Sequence, residues 1–422
     1  MFRTKTRTCM IAAAAVLGMA STAEAKPVCR EAYQSSPASY ERPTDELLNA
    51  AAARWKVPVD KIKASFVGFP VAGTVRYRVT LEGAGSQVRV RLSNEEGTAP
   101  LRLDAVSIGL AGDAFTVRPG SLQSLRFGGA TTVTIPAGAP VISDPVNIQV
   151  TPGADLIVSA ALATPLTNEP RGGAAFVLAS GNQALSEQLE QPRQMTGRPL
   201  VSGVCVAGDK SPRVIVAFGD SITDGNRSIL GQLHGWPEEL ARRIVASRVN
   251  GKFTVVNAGI GGNRLLVSGW GSSGLARLER DALRIDGISH LILLEGINDI
   301  GMAGKGLFGD APDISADDLI AGYRQVIARA HERGVKVYIA TLTPNAGSIS
   351  HSSPMKDAIR NRINHWIRTS GEPDAVIDFD TIVRDPAEPT RFRKEFDSGD
   401  HLHPNESGYK AMGDGINLAL FQ

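Results

Sequence analysis

Two rhythms run through this sequence. Together they predict an α/β chain in which an antiparallel β-sandwich precedes a parallel sheet covered by helices. From Val75 to Leu178, apolar residues recur at every second position in short runs set off by Gly, Pro and Asp, the pattern of half-buried strands joined by turns. After Arg213, short and almost wholly apolar runs alternate with stretches of helical period. That is the pattern of parallel strands buried on both faces, with crossover helices between them. The length agrees, since 422 residues exceed two domains of ~150 residues each.

The first 25 residues form a unit of their own. Arg3, Lys5 and Arg7 precede an apolar run from Met10 to Ala20, and Ala23-Glu24-Ala25 follows as a small-residue cleavage site. The order predicts a Sec-type signal peptide over 1–25, too short to span a bilayer, and a secreted or periplasmic protein. Its removal takes away three positive charges and one negative and leaves 42 of each sign, so the +2 of the full chain resides in the leader. Cys9 leaves with it, and the two remaining thiols, Cys29 and Cys205, are expected to pair as a disulfide in an oxidising compartment.

The mature chain reads as a β-rich unit over 26–185, a connector over 186–212 and a second unit over 213–422. A helix is expected from Asp45, capped by Thr44 and ended before Pro58. Strands then follow at 75–81, 88–92, 101–108, 131–135, 146–150, 156–160 and 174–178, and such even spacing suggests a sandwich. Arg76, Arg78, Arg89 and Arg91 alternate with the apolar residues and are expected to solvate the outer strand face. Ser180 to Pro212 shows no clear apolar period. Beyond it, strands are expected at 214–218, 253–256, 290–294, 337–340 and 376–377, with helices near 237–247, 316–332 and 354–368 and a final helix from about Asn405.

With 42% hydrophobic and 21% charged residues the chain is neither disordered nor a multi-span membrane protein. Near-neutral charge without a charged tail gives no footprint for nucleic acid. Nothing calls for stable membrane insertion, and the oligomeric state is left open.

Four short motifs carry the chemistry. The first strand of the second unit runs into Gly219-Asp220-Ser221, so Ser221 stands at a strand's carboxyl end, where open α/β sheets place their sites. Gly-Asp-Ser is also ordinary turn sequence, and it is not a G-x-S-x-G elbow, since position 223 is Thr. Near the C-terminus, Asp400 and His403 lie three residues apart, a spacing that lets the carboxylate reach Nδ1 and leaves Nε2 for a serine hydroxyl. His401 is the competing base, although it stands next to Asp400 and is expected to point elsewhere. Two further segments, Asn257 to Arg264 and Gly296-Ile297-Asn298-Asp299, follow the second and third strands. The Ser221 and Gly262 backbone N–H groups and the Asn298 amide can supply donors for an oxyanion. Read singly, the first is also a phosphate-cradling loop and the second a turn.

In their order, Gly219-Asp220-Ser221, the Gly262 loop, Gly296-x-Asn298-Asp299 and Asp400-x-x-His403 resemble the four blocks of the SGNH (GDSL-type) esterase and lipase superfamily. The resemblance covers about Arg213 to Gln422. It implies a flavodoxin-like three-layer α/β/α domain with Ser221 as nucleophile, His403 as base, Asp400 as its orienting acid, and Ser221, Gly262 and Asn298 around the oxyanion, without metal or cofactor. Within the glycine run, only the match to the family block selects Gly262 over Gly259 and Gly261. More loosely, the whole chain resembles secreted bacterial two-domain GDSL-type esterases near polysaccharide-degrading loci, which implies an acetylated carbohydrate as substrate.

Trp236 and Trp270 follow the first two blocks, either as sugar-stacking platforms or as core residues, and Arg264 can meet an anionic group. No long apolar lid lies between the motifs, which weighs against an interfacial lipase but leaves lysophospholipase or thioesterase activity open. The front unit is poor in aromatic residues, with Tyr77, Phe127 and Phe176 among the few, and is expected to pack or shape the site. A catalytically silent chain whose β-sandwich holds a glycan is the reading from another class, and the intact Ser, Asp and His argue against it.

Overall fold

A computed structural model describes residues 28–40, 45–55, 58–60, 71–166, 169–170, 174–197, 200–208, 212–225, 234–306 and 309–422. The signal peptide expected over 1–25 and the Thr44 cap lie outside these residues. Among the described residues, no helix is long and apolar enough to cross a membrane.

The front half is built from two antiparallel sheets. In the first, Cys29–Gln34, Val201–Ala207, Gly85–Asn94 and Ala139–Ile142 lie in that order, with Val146–Val150 also paired to Gly85–Asn94. In the second the order is Arg193–Thr196, Ala175–Ala179, Val71–Leu81, Ala154–Leu166, Leu101–Leu110 and Gln123–Ser124, with Val133–Ile135 on the 101–110 strand. The period-two pattern acts as expected: Val88, Val90 and Leu92 are buried while Arg89 and Arg91 are only partly so. Both sheets feed one apolar cluster, with Val90 and Val204 from the first and Tyr77, Ile108, Val158 and Phe176 from the second. Tyr77 and Phe176 meet there at a centroid distance of 5.5 Å. The helix Asp45–Trp55 begins with the expected acidic pair.

Two expectations fail here. The stretch 186–212 is not a plain connector, because Arg193–Thr196 and Val201–Ala207 within it are strands, the second lying between 29–34 and 85–94. Val201-Ser-Gly-Val-Cys-Val-Ala is covered on both faces, so it shows no alternation to read. The arginines also do more than solvate a surface. Arg76 is fully buried. Its guanidinium donates to Ser159 Oγ at 2.7 Å, to the Phe115 and Glu187 carbonyls at 3.2 and 3.1 Å, and to the Ser186 carbonyl. A long donor fork is satisfied by loop carbonyls folded over the strand, a tertiary event that period two cannot signal. Arg78 braces Asp155 at 2.7 Å, and Arg89 donates to the Ser143 carbonyl at 2.9 Å.

In the rear half five parallel strands lie in the order Phe253–Gly259, Arg213–Gly219, Ile288–Leu294, Lys336–Ala340 and Ala375–Ile377. Numbered along the chain, the order is 2-1-3-4-5, so the chain reverses direction across the sheet beside the strand Arg213–Gly219. Open α/β sheets form their crevice outside the carboxyl ends at such a reversal. The helices Trp236–Val245, Ala316–His331, Pro354–Thr369 and Glu406–Gly415 stand where their periodicity predicts, with Ser315, Ser353 and Asn405 capping the last three.

The two halves are joined by polar contacts. Gln34 Nε2 donates to the Asp281 carbonyl at 2.6 Å, Arg280 meets Glu96 at 2.9 Å and the Pro37 carbonyl at 3.0 Å, and Thr254 Oγ1 donates to the Glu82 carbonyl at 3.0 Å.

Cys29 and Cys205 are joined by a disulfide with their Cα atoms 5.4 Å apart. It closes 176 residues of sequence between neighbouring strands of the first sheet. The unfolded chain loses much freedom by such a long closure, so Cys29→Ala/Cys205→Ala should unfold about 2–5 kcal/mol more easily, read from urea denaturation. Acid stability offers a second check. Burial pushes the Asp378 carboxyl up, but bonds from Arg368, Thr381 and Thr341 outweigh it and bring the group down to about 2. A lowered value means that this contribution is present above the ordinary carboxylate range near ~3.9 and is lost as pH falls towards the folded value. Asp378→Asn should therefore flatten the loss of stability between about pH 4 and 2 in a series of thermal melts.

Candidate active site

Ser221 sits at the head of a single helical turn, Ser221–Asp224, directly after the strand Arg213–Gly219. Asp220 caps that turn by accepting the Ile222 N–H at 2.8 Å, and Gly225, at φ +87°, ends it. Gly219 is required by crowding: a Cβ there would stand 2.2 Å from Thr223 Oγ1 and 2.3 Å from the Leu294 carbonyl oxygen. The nucleophile candidate is thus held in a sharp strand-to-helix corner.

The C-terminal motif folds over it. Ser221 Oγ donates to His403 Nε2 at 2.8 Å, and His403 Nδ1 donates to Asp400 Oδ2 at 2.7 Å. The other Asp400 oxygen accepts the Leu402 and His403 N–H groups at 3.0 and 2.9 Å and the Ser398 hydroxyl at 3.0 Å. Burial works against its charge, yet the His403 ring bond and charge and these backbone bonds hold the carboxyl far below the ordinary range. An ionised Asp400 keeps the proton on Nδ1 and leaves Nε2 as an acceptor for Ser221. His401 has φ +60° and turns to Asp397, bonding its Oδ2 through Nδ1 at 2.5 Å. The geometry therefore joins Ser221 to His403 and leaves His401 aside.

The loop after the second strand and the turn after the third meet across the same edge. Gly262 adopts φ +77°, and a Cβ there would lie 1.9 Å from the Trp270 ring, so the loop leaves room for no side chain. Asn298, almost fully buried, donates from Nδ2 to the Asn263 carbonyl at 2.9 Å. Asp299 straps the two segments together, its oxygens accepting the Leu265 and Leu266 N–H groups at 2.7 and 2.9 Å. Burial pushes this carboxyl up to about 6 against the pull of those two bonds.

Of the aromatic candidates, Trp236 is not at the site. It is fully buried and lies 5.3 Å from the Phe379 ring, because it opens a helix whose apolar face turns to the sheet. Trp270 is half-buried beside Gly262. Arg264 donates to the Ser268 carbonyl at 2.8 Å and braces its own loop. Among the described residues no three His, Cys, Asp or Glu form a group that could hold a metal ion.

Four residues that build this region have no role assigned from the sequence, two of them, Asn263 and Asp299, within its motifs. Arg277, Asn263 and Asp299 fix the loops, and His351 contacts Asn298 Oδ1 from a neighbouring loop at 3.0 Å. Asp299 stands within a motif and was readable as a turn residue. Arg277 and His351 lie outside all four motifs and carried no local signal.

The sequence from 217 to 411 matches the GDSL-like lipase/acylhydrolase family. Those residues are a GDSL-like lipase/acylhydrolase domain. Such a domain is that of a carboxylic ester hydrolase, and the matched residues run from the end of the strand Arg213–Gly219 through the Ser221 corner to the 397–403 turn and into the helix after it. Several solved structures are similar to the chain. The acetyl xylan esterase AlAXEase is 22% identical over 48% of this chain and 96% of its own, with a TM-score of 0.38. A catalytic mutant of Axe2, an acetylxylan esterase from Geobacillus stearothermophilus, is 19% identical over 49% and 93%, with a TM-score of 0.37. The aryl esterase of M. smegmatis is 16% identical over 48% and 95%, with a TM-score of 0.38. No curated protein matches the chain.

Gly262→Ala tests the crowding beside Trp270. A positive φ costs a side chain about 1–2 kcal/mol even without a clash. Chemical denaturation should show at least that loss, and Trp emission should shift as the ring is displaced; unchanged stability and emission would contradict the described contact.

Proposed function

We propose that the chain is a serine esterase in which Ser221, His403 and Asp400 act as nucleophile, base and orienting acid. The observation that carries the reading is the continuous run of bonds from Ser221 Oγ through His403 to an Asp400 held ionised. Ser221 Oγ attacks the ester carbonyl as its proton passes to His403 Nε2. The carbonyl oxygen becomes an oxyanion, received by the Ser221 and Gly262 N–H groups and by the second Asn298 Nδ2 hydrogen. Collapse expels the alkoxide, which takes the proton from His403. Water, deprotonated at the same nitrogen, then attacks the acyl-serine, and a second collapse releases the acid and restores Ser221.

The strand order 2-1-3-4-5 supports a flavodoxin-like three-layer architecture for this half, and the common apolar cluster supports reading the two front sheets as a sandwich. For the substrate we favour a short acyl ester on a carbohydrate. The half-buried Trp270 ring at Gly262 gives the oxyanion loop a flat apolar neighbour of the kind on which a sugar stacks. The disulfide is compatible with export to an oxidising compartment.

Ser221→Ala should lower p-nitrophenyl acetate hydrolysis by ~10⁴-fold or more and abolish fluorophosphonate labelling, and Asp400→Asn should lower kcat by ~10²- to 10⁴-fold. Equal activity of wild type and Ser221→Ala would remove the serine mechanism. A panel of acetylated xylan, pectin, long-chain p-nitrophenyl esters and acyl-CoA tests the substrate class; preference for long chains or acyl-CoA would overturn the carbohydrate reading alone.

A further inference from the structure

Asn298 can serve an oxyanion only if its amide is turned the right way round. Its Nδ2 already donates one hydrogen to the Asn263 carbonyl at 2.9 Å, and since a carbonyl only accepts, this contact fixes which end of the amide is nitrogen. Oδ1 then faces the His351 ring, 3.0 Å from Nε2. An amide oxygen only accepts as well, so His351 must carry its proton on Nε2 and donate it.

The surroundings of His351 accommodate that tautomer and hold the ring. With the proton on Nε2, the Ser350 hydroxyl, 2.6 Å from Nδ1, donates to that nitrogen. The ring is buried and lies against Gly301, in the same helical turn as Asn298: a Cβ at 301 would stand 1.8 Å from His351 Cδ2. Asn345 Nδ2 donates to the His351 carbonyl at 2.8 Å, and Lys356 Nζ bridges the Gly301 and Ser350 carbonyls at 2.6 and 2.9 Å. The ring is therefore held at its backbone, its far nitrogen and its face, with only Nε2 directed at Asn298. Burial, followed by the His403 and Lys356 charges, pushes its pKa down to about 3 against Asp400, which keeps the imidazole neutral under working conditions.

We propose that His351 is a positioning residue for ester hydrolysis, setting the Asn298 amide by an Nε2–H donation so that the free Nδ2 hydrogen points at the oxyanion. The inference rests on the serine-esterase reading and deepens it. His351 touches no reacting atom; it acts through Asn298, a donor needed more in the transition state than in the ground state, so its loss should fall on kcat.

His351→Phe keeps a planar ring and removes the donor. With p-nitrophenyl acetate it should lower kcat ~10- to 100-fold, less than the loss of an oxyanion donor itself, with KM within about twofold. His351→Gln, which can place an amide N–H near the position of Nε2, should recover most of that loss. Ser350→Ala, a milder change should His351→Phe not fold, removes the hydroxyl that anchors the far nitrogen of the ring and should lower kcat severalfold. On an Asn298→Ala background, replacing His351 by Phe should cost little more, because the group it sets is gone. A purely structural role predicts the same loss on both backgrounds and no rescue by Gln. Either result, or wild-type kcat in both His351→Phe and Ser350→Ala, would overturn the proposal. If Ser221→Ala kept full activity, the esterase reading would fail instead.

Discussion

The corner of the rear half that carries Ser221 is organised around a buried cation, Arg277. The Arg277 side chain has no exposure, and its guanidinium donates to the carbonyls of Gly219 and Ala258, at 2.9 and 2.7 Å, and to Asn263 Oδ1 at 2.8 Å. It lies 3.8 Å over the Phe218 ring and pairs with Asp281 at 3.2 Å. Two strand ends and the loop carrying Gly262 are thereby tied to one rigid fork, whose five donors have a fixed planar geometry that lysine lacks. Asn263 extends the tie: its amide donates to the Trp270 and Ser272 carbonyls, and its own carbonyl accepts from Asn298. The Ser221 corner, the glycine loop and the Asn298 turn are held by hydrogen bonds that converge on a single guanidinium, and Asp281 passes the connection on to Arg280 and so to Glu96 in the front half.

Around that cation the acids divide into two kinds. Burial drives Asp220 and Glu295 upward, each reinforced by neighbouring carboxyls and opposed by Arg277, and both Glu295 oxygens are buried without a partner among the described residues. Asp400 goes the other way, because it collects donors. At Asp220 and Glu295 burial outweighs the bonds and the cation, whereas at Asp400 the bonds outweigh burial and hold a charge beside the histidine. A buried site that charged all of them would face mutual repulsion in a weakly screening medium.

The sequence made legible whatever depends on nearest neighbours along the chain. Period two exposed the longer strands of the front half, apolar runs the parallel strands, and helical period the helices that the structure shows capped by Ser315, Ser353 and Asn405. The Asp400-His403 pair was readable because its geometry is local. What stayed hidden is set by partners distant in sequence. Arg277 stands outside every motif, and only the fold reveals that it faces inward. Arg76 reads as a polar strand residue until loop carbonyls close over it. Trp236 and Trp270 are alike in sequence, and their helix and loop settings separate them. The strand Val201–Ala207 escaped because burial on both faces erases the alternation by which strands are recognised.

That last strand governs how the protein can be divided. Val201–Ala207 is an interior member of its sheet, bonded on one side to Cys29–Gln34 and on the other to Gly85–Asn94. Severing the chain near residue 186 would leave the front half with a gap through the middle of a sheet. The rear fragment would carry an apolar strand with both edges bare, a template for pairing with other chains. A fragment meant to isolate the hydrolase must begin beyond Ala207, and the front half must keep that strand to close its sheet.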